Sequence, residues 1–396
     1  MLQFFRLLKD KPLKPASILC GLFLILMLSI ITGCFLVEDI LPDQDWPMFK
    51  YNSERTSASQ DYDFDEIQLL WKYEYEVFEE GGGSRISPAI SMNQVVIPTR
   101  YYISCLNTDN GELIWRKYIG ENNSSPIIYG NNVIISATNS INSFNLKDGF
   151  CNWSKDLKKE GYITAGISVP IADDGRIYYG LRGKDDTEGW LYCIDVDDGS
   201  TIWKFQAFGP VRTSPVISHG MVIFGADNGT LYCLEKDSGN KVWTYRTGDK
   251  IRSSPAIFKD NAYFGSNDSY MYCVDIDSGK QIWKYKTGDI INTTPGISDG
   301  KIYFSSNDNN IYCLDADNGD FIWKYHNNDL IFTSPTICGG KLLLGMDNKV
   351  YCLNSDNGRF IKEYKLDDFG ISSPMSIRDN RLYLRTISFI YCFELK

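Results

Sequence analysis

Histidine is nearly missing from this chain: only His219 and His326 occur in 396 residues. That scarcity argues against histidine-built zinc or copper sites and against triads that need an imidazole base. Neither a glycine-rich phosphate loop nor a nucleophile elbow is found. Positive charge is also short, 40 Lys and Arg against 50 Asp and Glu, for a net charge of −10. An acidic chain lacks the basic patches that nucleic acids or anionic membrane surfaces require. Helical periodicity is absent too; Gly, Asn and Asp interrupt the apolar runs too often for helical repeats.

What is present is repetition. Eight copies of one pattern recur about every 40 residues, as in Tyr272-Cys273-Val274-Asp275, then Gly279, then Trp283. A fixed period of this length marks one supersecondary unit that cannot bury its apolar surface alone. Each copy starts from a Ser/Thr-Pro step, at Pro88, Pro126, Pro170, Pro215, Pro255, Pro295, Pro335 and Pro374. Four short runs rich in β-branched and aromatic residues follow, with turn chemistry between them: an antiparallel meander. Such a sheet repeated four to eight times is the signature of a β-propeller.

The last copy stops at Tyr391-Cys392-Phe393-Glu394, without a fourth strand; Leu69-Leu70-Trp71-Lys72-Tyr73 precedes the first copy. Residues 67–76 are therefore expected to pair with the C-terminal strands, closing an all-β ring of eight four-stranded blades and leaving no unpaired edge. The Trp row Trp71, Trp115, Trp153, Trp203, Trp243, Trp283 and Trp323 recurs at one position, with Lys362 in the eighth. Its regularity reads as packing between blades, weakest at Lys362. Cys105, Cys193, Cys233, Cys273, Cys313, Cys352 and Cys392 share another position, with Ser143 in the second copy. Equivalent sites in neighbouring blades lie beyond disulfide reach, so these read as small buried hydrophobes. So many thiols in an exported chain suggest a reducing habitat. Cys151 and Cys338 lie off that row, with no evident partner.

The start of the chain reads as an export signal over residues 1–33. Arg6, Lys9, Lys11 and Lys14 precede an apolar run, Ala16 to Ile31, that ends in Ile31-Thr32-Gly33-Cys34. The run is shorter than the ~20 residues of a spanning helix. Its ending resembles a prokaryotic lipoprotein processing site, with Cys34 as the lipidated residue; an uncleaved N-terminal anchor is the alternative. Residues 34–45 are then a short tether and 46–396 the propeller. Either way the protein is exported and held at the outer face of a prokaryotic membrane, in the periplasm or at the cell surface.

Three features are candidates for function. Arg85, Arg212 and Arg252 each lie three residues before an opening proline, near the mouth of a central channel. They form an anion- or partner-binding rim, or are solvated or locally paired arginines. An insertion in the third copy, with Arg182, Lys184 and Trp190, is a candidate recognition loop on a rigid scaffold; Trp190 alternatively covers its blade edge. Asp315-Ala316-Asp317-Asn318-Gly319 and its analogues at Asp195 and Asp275 look like calcium loops. They offer too few oxygens, and hairpin turns explain them, so no metal is expected.

Cys313-x-Asp315-x-x-x-Gly319-x-x-x-Trp323 resembles the tryptophan-docking motif of the pyrroloquinoline-quinone (PQQ) repeat propellers, with Cys where Ala is usual. Asp45-Trp46-Pro47-Met48-Phe49, with Arg55-Thr56-Ser57, is similar to that superfamily's lead-in. The resemblance covers about residues 45–396 and implies an eight-bladed propeller. Two branches exist. Quinoprotein dehydrogenases oxidise alcohols or sugars with PQQ and calcium; they are longer, and many hold the quinone against two adjacent cysteines, a pair this chain lacks. The BamB-like outer-membrane-assembly lipoproteins are non-catalytic, and the signal, size and compact blades look like theirs. The resemblance thus implies a monomeric, cofactor-free scaffold that binds protein at one face. PQQ-dependent oxidation, with Arg85, Arg212 or Arg252 holding the quinone, and cell-surface glycan binding are the alternatives.

Overall fold

The computed structural model describes residues 58–59, 63–75, 86–122, 124–159, 168–327, 333–371 and 373–396. The export signal, the tether, Cys34, the lead-in residues and Arg85 lie outside these. Among the described residues every regular element is a strand, and the strands form eight antiparallel four-stranded blades in a ring. Blade 5 is typical: Ala256–Phe258, Asn261–Gly265, Tyr270–Asp275 and Gln281–Lys286, ordered from the axis outward. Its inner strand is three residues long and its second and third strands are almost wholly buried. The sheet is sandwiched between neighbours, so both faces must be apolar.

The opening prolines begin the inner strands, and the residue before most of them ties two blades together. The Ser214 amide donates to Ser254 Oγ at 2.9 Å, one repeat ahead, and the Thr294 amide to Ser334 Oγ at 3.0 Å. The third copy departs from the Ser/Thr-Pro step: Val169 stands there, so its amide can donate to Ser214 Oγ but its side chain returns nothing. Inner strands touch around the ring, and Ala89–Ser91 meets Ser376–Arg378, the first blade against the last. The eighth blade takes its outer strand from the other end of the chain: Ile67–Glu74 pairs antiparallel with Phe389–Leu395.

Between blades the indoles are the clasp. Each of the seven Trp Nε1 atoms donates to a backbone carbonyl of the next blade at 2.8–3.1 Å. The ring lies flat on the glycine of that blade's last turn. At Gly279 (φ +67°) a Cβ would sit 2.6 Å from Trp243 Cδ2, so both conformation and contact demand glycine. The same arrangement lies under the other six indoles. A β-bulge just before each Trp, for instance at Ile282 ahead of Trp283, aims the ring sideways at its neighbour. Opposite each Trp on the third strand stands the small residue of the cysteine row: Cys273 faces Trp283, and Ser143 faces Trp153.

All seven row cysteines are buried. Burial pushes the Cys273 thiol up to about 12 and the Cys352 thiol to about 11. The eighth position has no clasp. Lys362 pairs with Glu66 at 3.6 Å and lies over the Tyr364 ring.

Two outcomes test this account. Trp243→Ala should lower stability by about 3–5 kcal/mol and Gly279→Ala by about 1–3 kcal/mol. Measured by denaturant unfolding, the pair should cost less than their sum because both remove one contact. Second, a thiol whose pKa is raised in the folded state stabilises below its unfolded pKa and stops doing so as pH rises through the folded value. Stability should therefore fall between pH about 9 and about 12, and Cys273→Ala should flatten that fall in pH-dependent unfolding midpoints.

Candidate functional site

Antiparallel blades give the disc two unlike faces. The upper face carries the turns between second and third strands and the links from one blade to the next. The lower face carries the other two sets of turns. On the lower face the acidic turns are hairpins and inter-blade pairs. Asp315 Oδ1 accepts from the Asp317 amide at 2.9 Å, and Asp317 itself pairs with Lys259 of the preceding blade at 2.9 Å. Arg381 likewise pairs with Asp109 at 2.8 Å. Their oxygens are committed within the protein. Among the described residues no group of three or more His, Cys, Asp or Glu side chains is arranged to hold a metal ion.

The upper face differs over blades 3 to 5. The insertion lengthens three strands of blade 3, Arg176–Arg182, Glu188–Asp195 and Thr201–Phe208. Two extra residues on the outer strand carry the hairpin about 7 Å farther, so this edge projects. At its end Phe208 is 76% exposed, an unusual position for a large apolar side chain. The Phe208 amide donates to the Tyr232 hydroxyl at 3.4 Å, which fixes the tip against blade 4.

Below the tip lies a charge network. Asp227, in the turn after Met221–Gly225, is almost buried. Its carboxylate accepts from Arg212 Nε at 3.0 Å, from Arg252 Nε at 3.1 Å and from Arg252 Nη2 at 2.9 Å. The hydrogen bond to Asp227 holds the Arg252 guanidinium above its ordinary pKa. Asp186, from the insertion, lies 3.6 Å from Arg212 Nη2 and 2.9 Å from Arg182 Nε. The rim arginines and the insertion, separate in sequence, meet here. Arg212 and Arg252 are locally paired through Asp227. Lys184 is exposed on the insertion. Trp190 is half-buried against blade 3, with Lys204 Nζ 5.2 Å from its ring centroid, so it serves packing more than contact. Ile371, in the arginine register of the last copy, is buried. Arg85 cannot be placed in the network, being outside the described residues.

Asp227, Asp186 and Phe208 are the residues that sequence reasoning missed. Asp227-Asn228-Gly229 reads as a turn, and it is one: Asn228 Oδ1 accepts from the Thr230 amide at 3.0 Å. With Asn228 making the turn, the Asp227 carboxylate is left to reach the arginines. The register of Arg212 and Arg252 one repeat apart was the available signal, because one carboxylate between them satisfies both.

Of the three arginines offered for a quinone, Arg212 and Arg252 are held by Asp227.

Fold and repeat together define the class, an eight-bladed PQQ-type propeller. A family model described as "Outer membrane protein assembly factor BamB" matches residues 62–184, 137–285 and 246–386. The chain belongs to that family. An outer membrane protein assembly factor BamB of Legionella pneumophila (strain Paris) is 26% identical over 132 residues, 33% of this chain. The match spans about a third, 32%, of that relative's own length. Among solved structures, BamB from Moraxella catarrhalis superposes with TM-score 0.71 at 15% identity, covering 83% of this chain and all of that one. The quinohemoprotein alcohol dehydrogenase of Comamonas testosteroni superposes with TM-score 0.76 at 12% identity, covering 92% and 82%. At such identities these likenesses establish the shared fold alone.

Removing the shared acceptor tests the network. Asp227→Asn should cost about 1–3 kcal/mol in urea unfolding. Part of that loss should return at high salt, which screens the two facing guanidinium groups.

Proposed function

We propose that this chain is a non-enzymatic propeller, lipid-anchored through Cys34 outside the cytoplasm, that binds protein partners in envelope or outer-membrane protein assembly. Family membership supports the assembly role, and the names of the BamB relatives point the same way. The observation that carries the binding reading is the convergence over blades 3 to 5. There a projecting strand pair presents an exposed phenylalanine beside arginines already matched to carboxylates. An aromatic anchor ringed by ordered polar groups is the usual form of a protein-binding hot spot. Prealigned arginines lose little further freedom when a partner docks. The protein acts as a monomeric propeller, uses no cofactor, and leaves nucleic acid alone because its charge is acidic.

Contact residues outside the Asp227 clasp make the cleanest test, since charge reversal at Arg212 or Arg252 would disturb folding as well. Partners are first captured by proximity labelling on intact cells. Phe208→Ala with Lys184→Glu should then weaken a purified partner's affinity roughly tenfold or more, with an unchanged melting temperature. Unaltered affinity removes this face as the site. Cys34→Ser should move the protein from the membrane to the soluble fraction. Saturable PQQ binding in the presence of calcium, with reduction of an artificial acceptor, would overturn the non-enzymatic reading in favour of an oxidoreductase. Glycan-array binding that survives the Phe208 and Lys184 changes would favour glycan recognition.

A further inference from the structure

Blade 7 has five strands where the other blades have four. Ala58–Ser59 pairs parallel with its inner strand, Thr336–Cys338, in the register Ala58 to Ile337 and Ser59 to Cys338. The pair is added on the axial side, and it also touches the inner strand of blade 6, Gly296–Ser298. A segment from before the repeats therefore lies inside the ring of inner strands. Nothing in the repeat pattern announces it, because two residues carry no periodicity.

Asp63, four residues further along the sequence, lies on the lower face of the same blade. Lys341, which begins the second strand, holds Asp63 at 2.5 Å, and its ammonium lies 4.8 Å from the Phe64 ring centroid. Hydrogen bonding to Lys341 lowers the Asp63 pKa. Phe64 is buried in the core shared by blades 7 and 8. Glu66 pairs with Lys362 at 3.6 Å, and the Asp65 and Glu66 amides both donate to the Lys396 carbonyl. From Glu66 the chain passes directly into the outer strand of blade 8. These contacts fall at the one seam where the indole clasp is lacking, since Lys362 stands in the Trp row.

We propose that Ala58–Ser59 and residues 63–66 act together as an intramolecular strap that replaces the eighth clasp, and that it couples ring closure to a strand seated on the axis. Its inner end is the parallel strand against Thr336–Cys338. Its buckle is Asp63 on Lys341 with Phe64 beneath. Its outer end is the strand that completes blade 8. Because only three residues of chain join Ser59 to Asp63, opening the seam at the buckle slackens the axial strand. The occupant of this part of the axis is thus the chain's own N-terminal segment, released only when blades 7 and 8 part.

The register supplies a direct test. Neighbouring strands bring paired Cα atoms about 4.8 Å apart, inside the about 4.4–6.8 Å window of a disulfide. In the full chain, Ser59→Cys should form a disulfide with the native Cys338 under oxidised glutathione, which takes up the two electrons and two protons released. Mass spectrometry of the digested protein would show the linked peptide. Adding Asp63→Ala, a change at an exposed carboxylate that leaves the core intact, should slow the linking several-fold and raise maleimide labelling of the introduced thiol. Absence of the linked peptide, with fast maleimide labelling in the folded protein, would show that the strand is not seated. Linking that proceeds at the same rate with and without Asp63 would show that seat and buckle are independent. Either result overturns the strap.

Discussion

An indole laid on a glycine, with its N–H on the backbone beside it, holds each blade of this protein to the next, and it recurs at seven of the eight seams. The contact works because three local features coincide. A bulge turns the Trp sideways, a small side chain opposite it leaves space, and a positive-φ glycine in the next blade offers bare backbone. Each feature is specified within one repeat, yet none is useful until a second repeat stands alongside. Ring stability is accordingly a property of neighbouring pairs, as in other repeat proteins.

The seam between blades 7 and 8 shows what happens when that contact is unavailable. There Lys362 stands where the other blades carry the indole. The site is closed instead by an ion pair, a buried phenylalanine, a charged pair at the surface and antiparallel pairing of Ile67–Glu74 with Phe389–Leu395. These contacts join residues almost the whole chain apart. Their closure entropy grows only slowly with that separation, which makes a terminal strand a workable fastener for a ring.

Departures from the repeat set one part of the upper face apart. The insertion in blade 3 lengthens its strands, lifts Phe208 into solvent and brings Asp186 to Arg212. Arg212 and Arg252 occupy equivalent places in successive repeats, so a single carboxylate at Asp227 serves both. Elsewhere the same register holds Ile371, which is buried. The regular lower face, by contrast, spends its acidic turns on pairs between blades. The two faces therefore differ in how their charges are paired.

The blade count, the swapped closing strand, the packing role of the Trp row and the burial of the cysteines were legible in the sequence. All follow from residues at fixed offsets within about 40 positions, where local turn chemistry and strand periodicity act. The arginine network was half legible: its cations stood out, but Asp227 was hidden in an ordinary turn, and only folding shows which side of the turn its carboxylate takes. Phe208 looked like one more aromatic at a strand end until the longer hairpin carried it clear of the face. The axial strand at Ala58–Ser59 had no local signal at all, because its partner is nearly 280 residues away. The sequence alone determined the repeating unit and how it closes. The tertiary structure decided which charges meet, which aromatic is exposed and where Ala58–Ser59 pairs, because those depend on distances between blades that no single repeat encodes.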